Sequence, residues 1–148
     1  MPYQIAFNVI PEIDSLLDNG YFNEEWKMIQ ETKKIMHAPQ KDISATAERE
    51  PVYIGHREAV HIELSSQMEA QEVRELLAVA PGVQLLDNPS KSLYPVPIDA
   101  AGTDDVYVGR IRNDVSHPNG IAMWVAADNI RKGAALNTIQ NRLSNTLH

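Results

Sequence analysis

The segment VYVGRIRNDVSHPNGIAMWVAADN spans residues 106–129 and contains two strand patterns that a polar turn separates. Residues 106–111 are rich in β-branched side chains and predict one strand, and the apolar run at 121–127 predicts a buried one. Asp128 then offers a helix N-cap. The apolar positions that follow at helical spacing predict a final helix, namely Ile130, Ala134, Ile139, Leu143 and Leu147.

Six further elements are predicted before this segment. They are a strand or extended segment at Tyr3–Val9, a helix that Asn23 caps and that runs to His37, antiparallel strands at 43–53 and 57–64, a helix to Leu77 that begins with a Ser66–Glu69 capping box, and a strand at Val83–Leu86. Residues 87–105 contain three prolines and predict a long loop, which is a candidate interface arm.

This order of elements predicts an α+β fold in one domain, residues 1–148. The sheet is expected to be mixed and largely antiparallel, with helices on one face. The second face would then lack cover from this chain. Because exposed apolar sheet faces are often subunit interfaces, we expect a homodimer.

The composition is that of an ordinary globular domain, with 148 residues of which 43% are hydrophobic and 22% are charged. The net charge of −7 argues against a nucleic-acid partner. The chain has no cysteine, which excludes a disulfide, a thiolate metal site and a cysteine nucleophile within it. We find neither a secretory signal nor an apolar run near the ~20 residues that span a bilayer, so we expect no membrane partner and a cytoplasmic location.

Four residues are candidates for chemistry. His56 is of the type that most often serves as general acid or base, and Arg49, seven residues earlier, is suited to binding a carboxylate or phosphate. Glu24 and Lys27 are three residues apart and share a helix face. Taken singly, each of the four is more often an ordinary surface residue.

Other kinds of site find little support in the sequence. His61 and Glu63 alternate on one strand, but no third ligand accompanies them, so no metal site is predicted. The chain has no glycine-rich nucleotide fingerprint and no nucleophile elbow. Spacing alone therefore indicates an α+β domain with a possible site for an anionic ligand.

Five segments, in register over nearly the whole chain, resemble the aspartate-semialdehyde dehydrogenase family. They are IAFN at 5–8 with Pro11; EEWK at 24–27 with ETKKI at 31–35; Arg49 with Pro51-Val52 and Gly55-His56; VGRIR at 108–112; and ADNIRKGAALN at 127–137. The resemblance implies the family's second domain, which is similar to that of glyceraldehyde-3-phosphate dehydrogenase. It also implies that the N-terminal NADP-binding Rossmann domain and the cysteine nucleophile lie outside these 148 residues.

The family reduces aspartyl phosphate to aspartate semialdehyde with NADPH, on the route to lysine, threonine and methionine. By resemblance, Glu24 would bind the substrate's amino group, Lys27 its phosphate and Arg49 its carboxylate, while His56 would be the acid/base. The resemblance also implies a homodimer. Without the cysteine, the chain by itself is expected to be inactive.

Two alternatives remain open at this point. The chain could be a non-catalytic paralogue or domain relic that acts only in dimerisation or partner binding, although a relic has no reason to keep both Arg49 and His56. It could also derive from a related acyl-phosphate reductase that acts on N-acetylglutamyl phosphate. Glu24 argues against that substrate, which has no ammonium group to bind.

Overall fold

The computed structural model describes residues 3–50 and 56–132. Within these ranges the chain forms the α-helices α1 (Asn23–Ile35), α2 (Ala70–Ala78) and α3 (Pro97–Ala100), a 3-10 turn (Pro89–Lys91), and the strands β1 (His56–Glu63), β2 (Val83–Leu85), β3 (Val106–Asn113) and β4 (Gly120–Ala127). No helix among the described residues is long and apolar enough to cross a membrane.

The four strands form one sheet in the order β1-β4-β3-β2. The pairs β1–β4 and β3–β4 are antiparallel, and β2–β3 is parallel. The prediction of an α+β fold with a mixed, largely antiparallel sheet is therefore confirmed. The strands predicted in the segment 106–129 are both present, and they form the centre of the sheet.

The sheet has an apolar core on one face. Helix α2 packs there through Val73 against a cluster that contains Val108, Ile111, Ile121 and Met123. Side chains of β4 alternate between the two faces of the sheet, so Trp124 points away from this core.

The opposite face is not bare, contrary to our expectation. Ala122, Trp124 and Ala126 are buried, and the Trp124 indole N–H donates to the Pro95 carbonyl at 2.9 Å. Residues of the segment 87–105 thus cover the β4 part of the second face, with Tyr94 and Val96 fully buried.

A bulge in β3 allows this cover. The register with β4 shifts between Gly109 and Arg112, and Arg110 adopts φ +50°. A Cβ at Gly109 would collide with the Leu86 carbonyl oxygen and lie 2.6 Å from Pro95 Cδ. Glycine at this position therefore lets the covering segment approach the strand backbone.

The extended patterns at Tyr3–Val9 and Ile43–Ala47 were wrong as strands. Just beyond them, Ile10 pairs with Arg49 in an isolated antiparallel bridge. The hairpin predicted between 43–53 and 57–64 is also not found among the described residues, because β1 pairs with β4 instead. A buried central strand needs a partner at each edge, and β1 supplies one to β4.

Two of the three predicted helix N-caps are displaced. Phe22 rather than Asn23 is the N-cap of α1, and the Asn23 amide donates to Asp14 at 2.8 Å. Glu69 rather than Ser66 caps α2. Asp128 does accept the backbone N–H groups of Ile130 and Arg131, as an N-cap would, but the stripe from Ala134 onward lies outside the described residues.

A buried ion pair joins α1 to the bulge. The two terminal nitrogens of Arg110 donate to the two carboxylate oxygens of Glu25 at 2.8 and 2.7 Å, and both side chains are fully buried. The Arg110 guanidinium also lies over the Phe22 ring, 4.6 Å from its centroid. Burial by itself would raise the pKa of Glu25, but the hydrogen bonds and charge of Arg110 hold that pKa below its ordinary value.

We expect acid to destabilise the fold through this pair. Because the pKa of Glu25 is lower in the folded state, its contribution is complete above the unfolded-state value of about 4.3. The contribution is then lost as the pH falls through the lower folded-state pKa. Carbon NMR of the Glu25 carboxyl gives the folded-state midpoint, and a midpoint at or above the ordinary value would contradict the expectation.

Candidate functional site

His56 begins β1 and lines a cavity of about 300 Å³, together with Thr46, Glu48, Arg57, Ala59 and Trp124. The side chain is exposed, and its Nε2 lies 2.9 Å from Glu58 Oε1. Glu58 follows two residues later, so both side chains leave the same face of the strand. The Glu58 carboxylate beside Nε2 favours the His56 tautomer that is protonated on Nε2. The unprotonated ring nitrogen, Nδ1, then points away from Glu58.

Arg49 lies at the end of the neighbouring extended segment. Its backbone N–H and carbonyl pair with Ile10 at 3.0 and 3.1 Å, and the residue is exposed. Its side chain is not among those that line the His56 cavity. The next residue, Glu50, forms an ion pair with Arg57, which follows His56 in sequence. This pair connects the residue after Arg49 to the residue after His56.

Glu24 and Lys27 lie in the first turns of α1. Their side chains form an exposed pair, with Lys27 Nζ 2.8 Å from Glu24 Oε1. The hydrogen bond to Glu24 and its negative charge raise the pKa of Lys27. Neither residue lines the His56 cavity. The structure thus pairs Glu24 with Lys27 and links Arg49 to His56 only through neighbouring residues, and a single site made of all four stays a prediction.

Several residues of the His56 cavity were not singled out from the sequence. Thr46, Glu48 and Arg57 carried no motif, and Trp124 belonged to an apolar run that predicts core. The one local signal was the two-residue spacing of His56 and Glu58, which places a carboxylate beside the imidazole. The other neighbours come from long-range pairing, which spacing along the chain does not reveal.

A second polar cluster surrounds His61. Its Nδ1 lies 2.6 Å from Asp114 Oδ2, and Asp114 Oδ1 accepts both the backbone N–H and the hydroxyl of Ser116. Burial tends to raise the pKa of Asp114, but these hydrogen bonds lower it overall. Within residues 3–50 and 56–132 no group of three or more His, Cys, Asp and Glu side chains is placed to hold a metal ion.

Known proteins match the chain over nearly its whole length. Residues 1–132 match the family described as semialdehyde dehydrogenase, dimerisation domain. The aspartate-semialdehyde dehydrogenase of Legionella pneumophila is 56% identical over 140 residues, which are 94% of this chain and 40% of that protein. The Bacillus subtilis enzyme is 53% identical over 139 residues, again 40% of its length.

A solved structure agrees with these sequence matches. The crystal structure of aspartate semialdehyde dehydrogenase II from Vibrio cholerae, complexed with ASA, matches with a TM-score of 0.56 and 47% identity, over 93% of this chain and 40% of that one. The chain therefore spans about 40% of the length of such relatives. These matches confirm the resemblance seen in the five sequence segments, and the chain belongs to the semialdehyde dehydrogenase dimerisation-domain family.

Proposed function

We propose that residues 1–148 form the C-terminal substrate-binding and dimerisation domain of an aspartate-semialdehyde dehydrogenase. The parent reaction would be the NADPH-dependent reduction of L-aspartyl phosphate to aspartate semialdehyde with release of phosphate, on the route to lysine, threonine and methionine. The observation that carries the proposal is the 56% identity to the Legionella enzyme across 94% of the chain.

The chemistry of the four candidate residues suits such a substrate. Aspartyl phosphate offers an ammonium, a carboxylate and a phosphate group. Glu24 would bind the ammonium, Arg49 the carboxylate in two-pronged fashion, and Lys27 the phosphate. Because Lys27 Nζ lies 2.8 Å from Glu24 Oε1, substrate binding would exchange this exposed pair for two contacts to oppositely charged substrate groups.

His56 would move the proton. With Nε2 at 2.9 Å from Glu58, Nδ1 is the ring nitrogen that would accept or donate a proton at the reacting centre. NADPH would supply the hydride when bound. The chain has no glycine-rich fingerprint, so we assign no residue here to the nucleotide. The cysteine that forms the thioester in the family would come from the remainder of the parent protein.

The first test joins this chain to the remaining segments of a relative. In a chimera, this chain replaces the corresponding segment of the Legionella pneumophila enzyme, and aspartate semialdehyde oxidation is measured with phosphate and NADP. We expect an active chimera, and a fall in kcat of about 10²- to 10⁴-fold for His56→Asn, the usual contribution of a general acid/base. The 148-residue chain alone should show no turnover because it has no cysteine.

His117→Asn is the matched control, since His117 lines the separate cavity beside Asp114 and should leave kcat unchanged. A folded but inactive chimera would favour the alternative of a non-catalytic relic. An active chimera that tolerates His56→Asn would remove the assigned role of His56.

We propose further that the chain forms a homodimer through the exposed side of β1. Among the described strands β1 lies at the edge of the sheet, and most of its residues are exposed, Ile62 among them. Edge strands are natural sites for pairing with a second copy. The family name, dimerisation domain, points the same way. This interface differs from the bare sheet face expected from sequence, because residues of the segment 87–105 cover the β4 part of that face.

Sedimentation of the purified chain at micromolar concentration tests this interface. We expect a species of twice the 16.5 kDa chain mass, since a stable interface buries roughly 2,000 Å². Ile62→Lys should shift the equilibrium to monomer, because it places a charge at the edge strand. Val79→Lys, at the highly exposed C-terminal end of α2, is the matched control. A monomer at all concentrations would refute the dimer. A dimer unaffected by Ile62→Lys would show that the interface lies outside the exposed side of β1.

A further inference from the structure

Residues 44–47, here called the 44–47 segment, are extended but belong to no strand. The segment leads directly to Arg49, so the contacts that hold the segment also constrain the position of the Arg49 backbone. Backbone ladders ordinarily hold extended chain in place. In this segment the observed anchors are side chains of α1, of the turn before it and of β3.

Arg112 is the central anchor. The residue is 3% exposed, and its guanidinium carbon lies 4.5 Å from the centroid of the Tyr21 ring. One terminal nitrogen donates to Thr46 Oγ1 at 2.7 Å and to the Ala45 carbonyl at 3.4 Å, and the other donates to the Arg110 carbonyl at 3.0 Å. Burial, and then the charge of Arg110, lower the pKa of Arg112. A guanidinium nevertheless stays protonated at neutral pH.

Two more side chains secure the ends of the segment. The backbone N–H of Ala47 donates to Glu25 Oε1 at 2.9 Å. At the other end, the hydroxyls of Tyr21 and Ser44 lie 2.8 Å apart. Every residue of the segment therefore forms a hydrogen bond to Tyr21, Glu25 or Arg112.

Through Glu25, these contacts connect the 44–47 segment to the first turn of α1. Glu25 lies between Glu24 and Lys27 in the first turn of α1, so the carboxylate that holds Ala47 shares a helical turn with two of the proposed substrate contacts. Two residues beyond Ala47, Arg49 is fixed in its bridge to Ile10. The separation between the backbone of Arg49 and the start of α1 is thus set by partly buried hydrogen bonds.

We propose that Arg112 is a positioning residue, which through Thr46 fixes the 44–47 segment and hence the place of Arg49 relative to Glu24 and Lys27. The proposal rests on the proposed function for the role of Arg49. It assigns a task to a buried cation that has no part in the proton or phosphate chemistry. Preorganisation of this kind matters because a shift of about 1 Å in a contact can cost on the order of 10²-fold in rate.

Amide hydrogen exchange on the 148-residue chain tests the positioning without reference to activity. Thr46→Val removes the acceptor but keeps the shape, and Thr46→Ser restores the hydroxyl. We expect exchange at Ala47 and Arg49 to rise roughly tenfold in Thr46→Val and in Arg112→Lys, with the β3 and β4 amides unchanged, and to return to native rates in Thr46→Ser. Native rates at Ala47 and Arg49 in Thr46→Val would overturn the proposal.

Kinetics of the Legionella chimera supply the second readout. Thr46→Val and Arg112→Lys should raise KM for aspartate semialdehyde about tenfold, with kcat changed less than twofold, because they displace a binding group and leave His56 in place. Thr103→Val, which removes a hydroxyl bond to Ala100 in a different loop, is the matched control. An unchanged KM in both variants overturns the proposal. An inactive chimera overturns the proposed function instead, and hydrogen exchange then decides the positioning alone.

Discussion

Both side chains of the Glu25–Arg110 ion pair are fully buried. The pair joins the start of α1, the bulge of β3 and the segment that leads to Arg49. Glu25 accepts hydrogen bonds from Arg110, from the Phe22 backbone at the start of α1 and from the Ala47 backbone. Arg110 lies in the bulge of β3, where its left-handed backbone turns the side chain toward α1. One carboxylate therefore connects a helix start, a central strand and the extended segment before Arg49.

Such a pair is an expensive way to join three segments. Desolvating two charges costs several kcal/mol each, and replacing both partners by well-packed apolar groups is often neutral or better for stability. The advantage of the ion pair is its geometric specificity. The apolar cluster beneath α2 can repack with small shifts, whereas a two-pronged guanidinium–carboxylate contact has one geometry. We infer that this ion pair fixes the relative positions of the three segments, whereas the apolar cluster beneath α2 contributes hydrophobic burial.

The sequence predicts the regular elements well where periodicity is strong. Helix α1 and strands β3 and β4 follow from apolar patterns that local structure dictates. The pattern at 43–47 was misleading, because residues there bond to the side chains of Glu25 and Arg112 rather than to a neighbouring strand. The pattern at 3–9 was misleading, because Tyr3 and Ile5 pack against the cluster of Ile10, Tyr94 and Val96. The partnership of Glu25 with Arg110 spans 85 residues and leaves no local trace. A buried glutamate in a charged helical turn looks, by spacing, like one more solvated residue.

In the proposed site, too, local spacing predicts some features and long-range contacts determine the others. The pairing of Glu24 with Lys27, and of His56 with Glu58, follows from spacing of three and two residues. The role of Arg49 depended on family resemblance, since a lone arginine at the end of an extended segment has no distinguishing pattern. The route by which Arg49 is held, through Thr46 and Arg112, required the fold, because β3 meets the 44–47 segment only in three dimensions.

The central claim is that Glu25 and Arg110 act as one unit, which holds together the start of α1, the bulge of β3 and the segment that leads to Arg49. A double-mutant cycle of Glu25→Gln, Arg110→Met and the double variant, followed by urea unfolding at pH 7, measures their coupling directly. We expect each single change to cost about 3–5 kcal/mol, because it leaves a buried partner unpaired, and the double change to cost less than the sum by about 3 kcal/mol. Additive losses, with a coupling below about 0.5 kcal/mol, would contradict the claim.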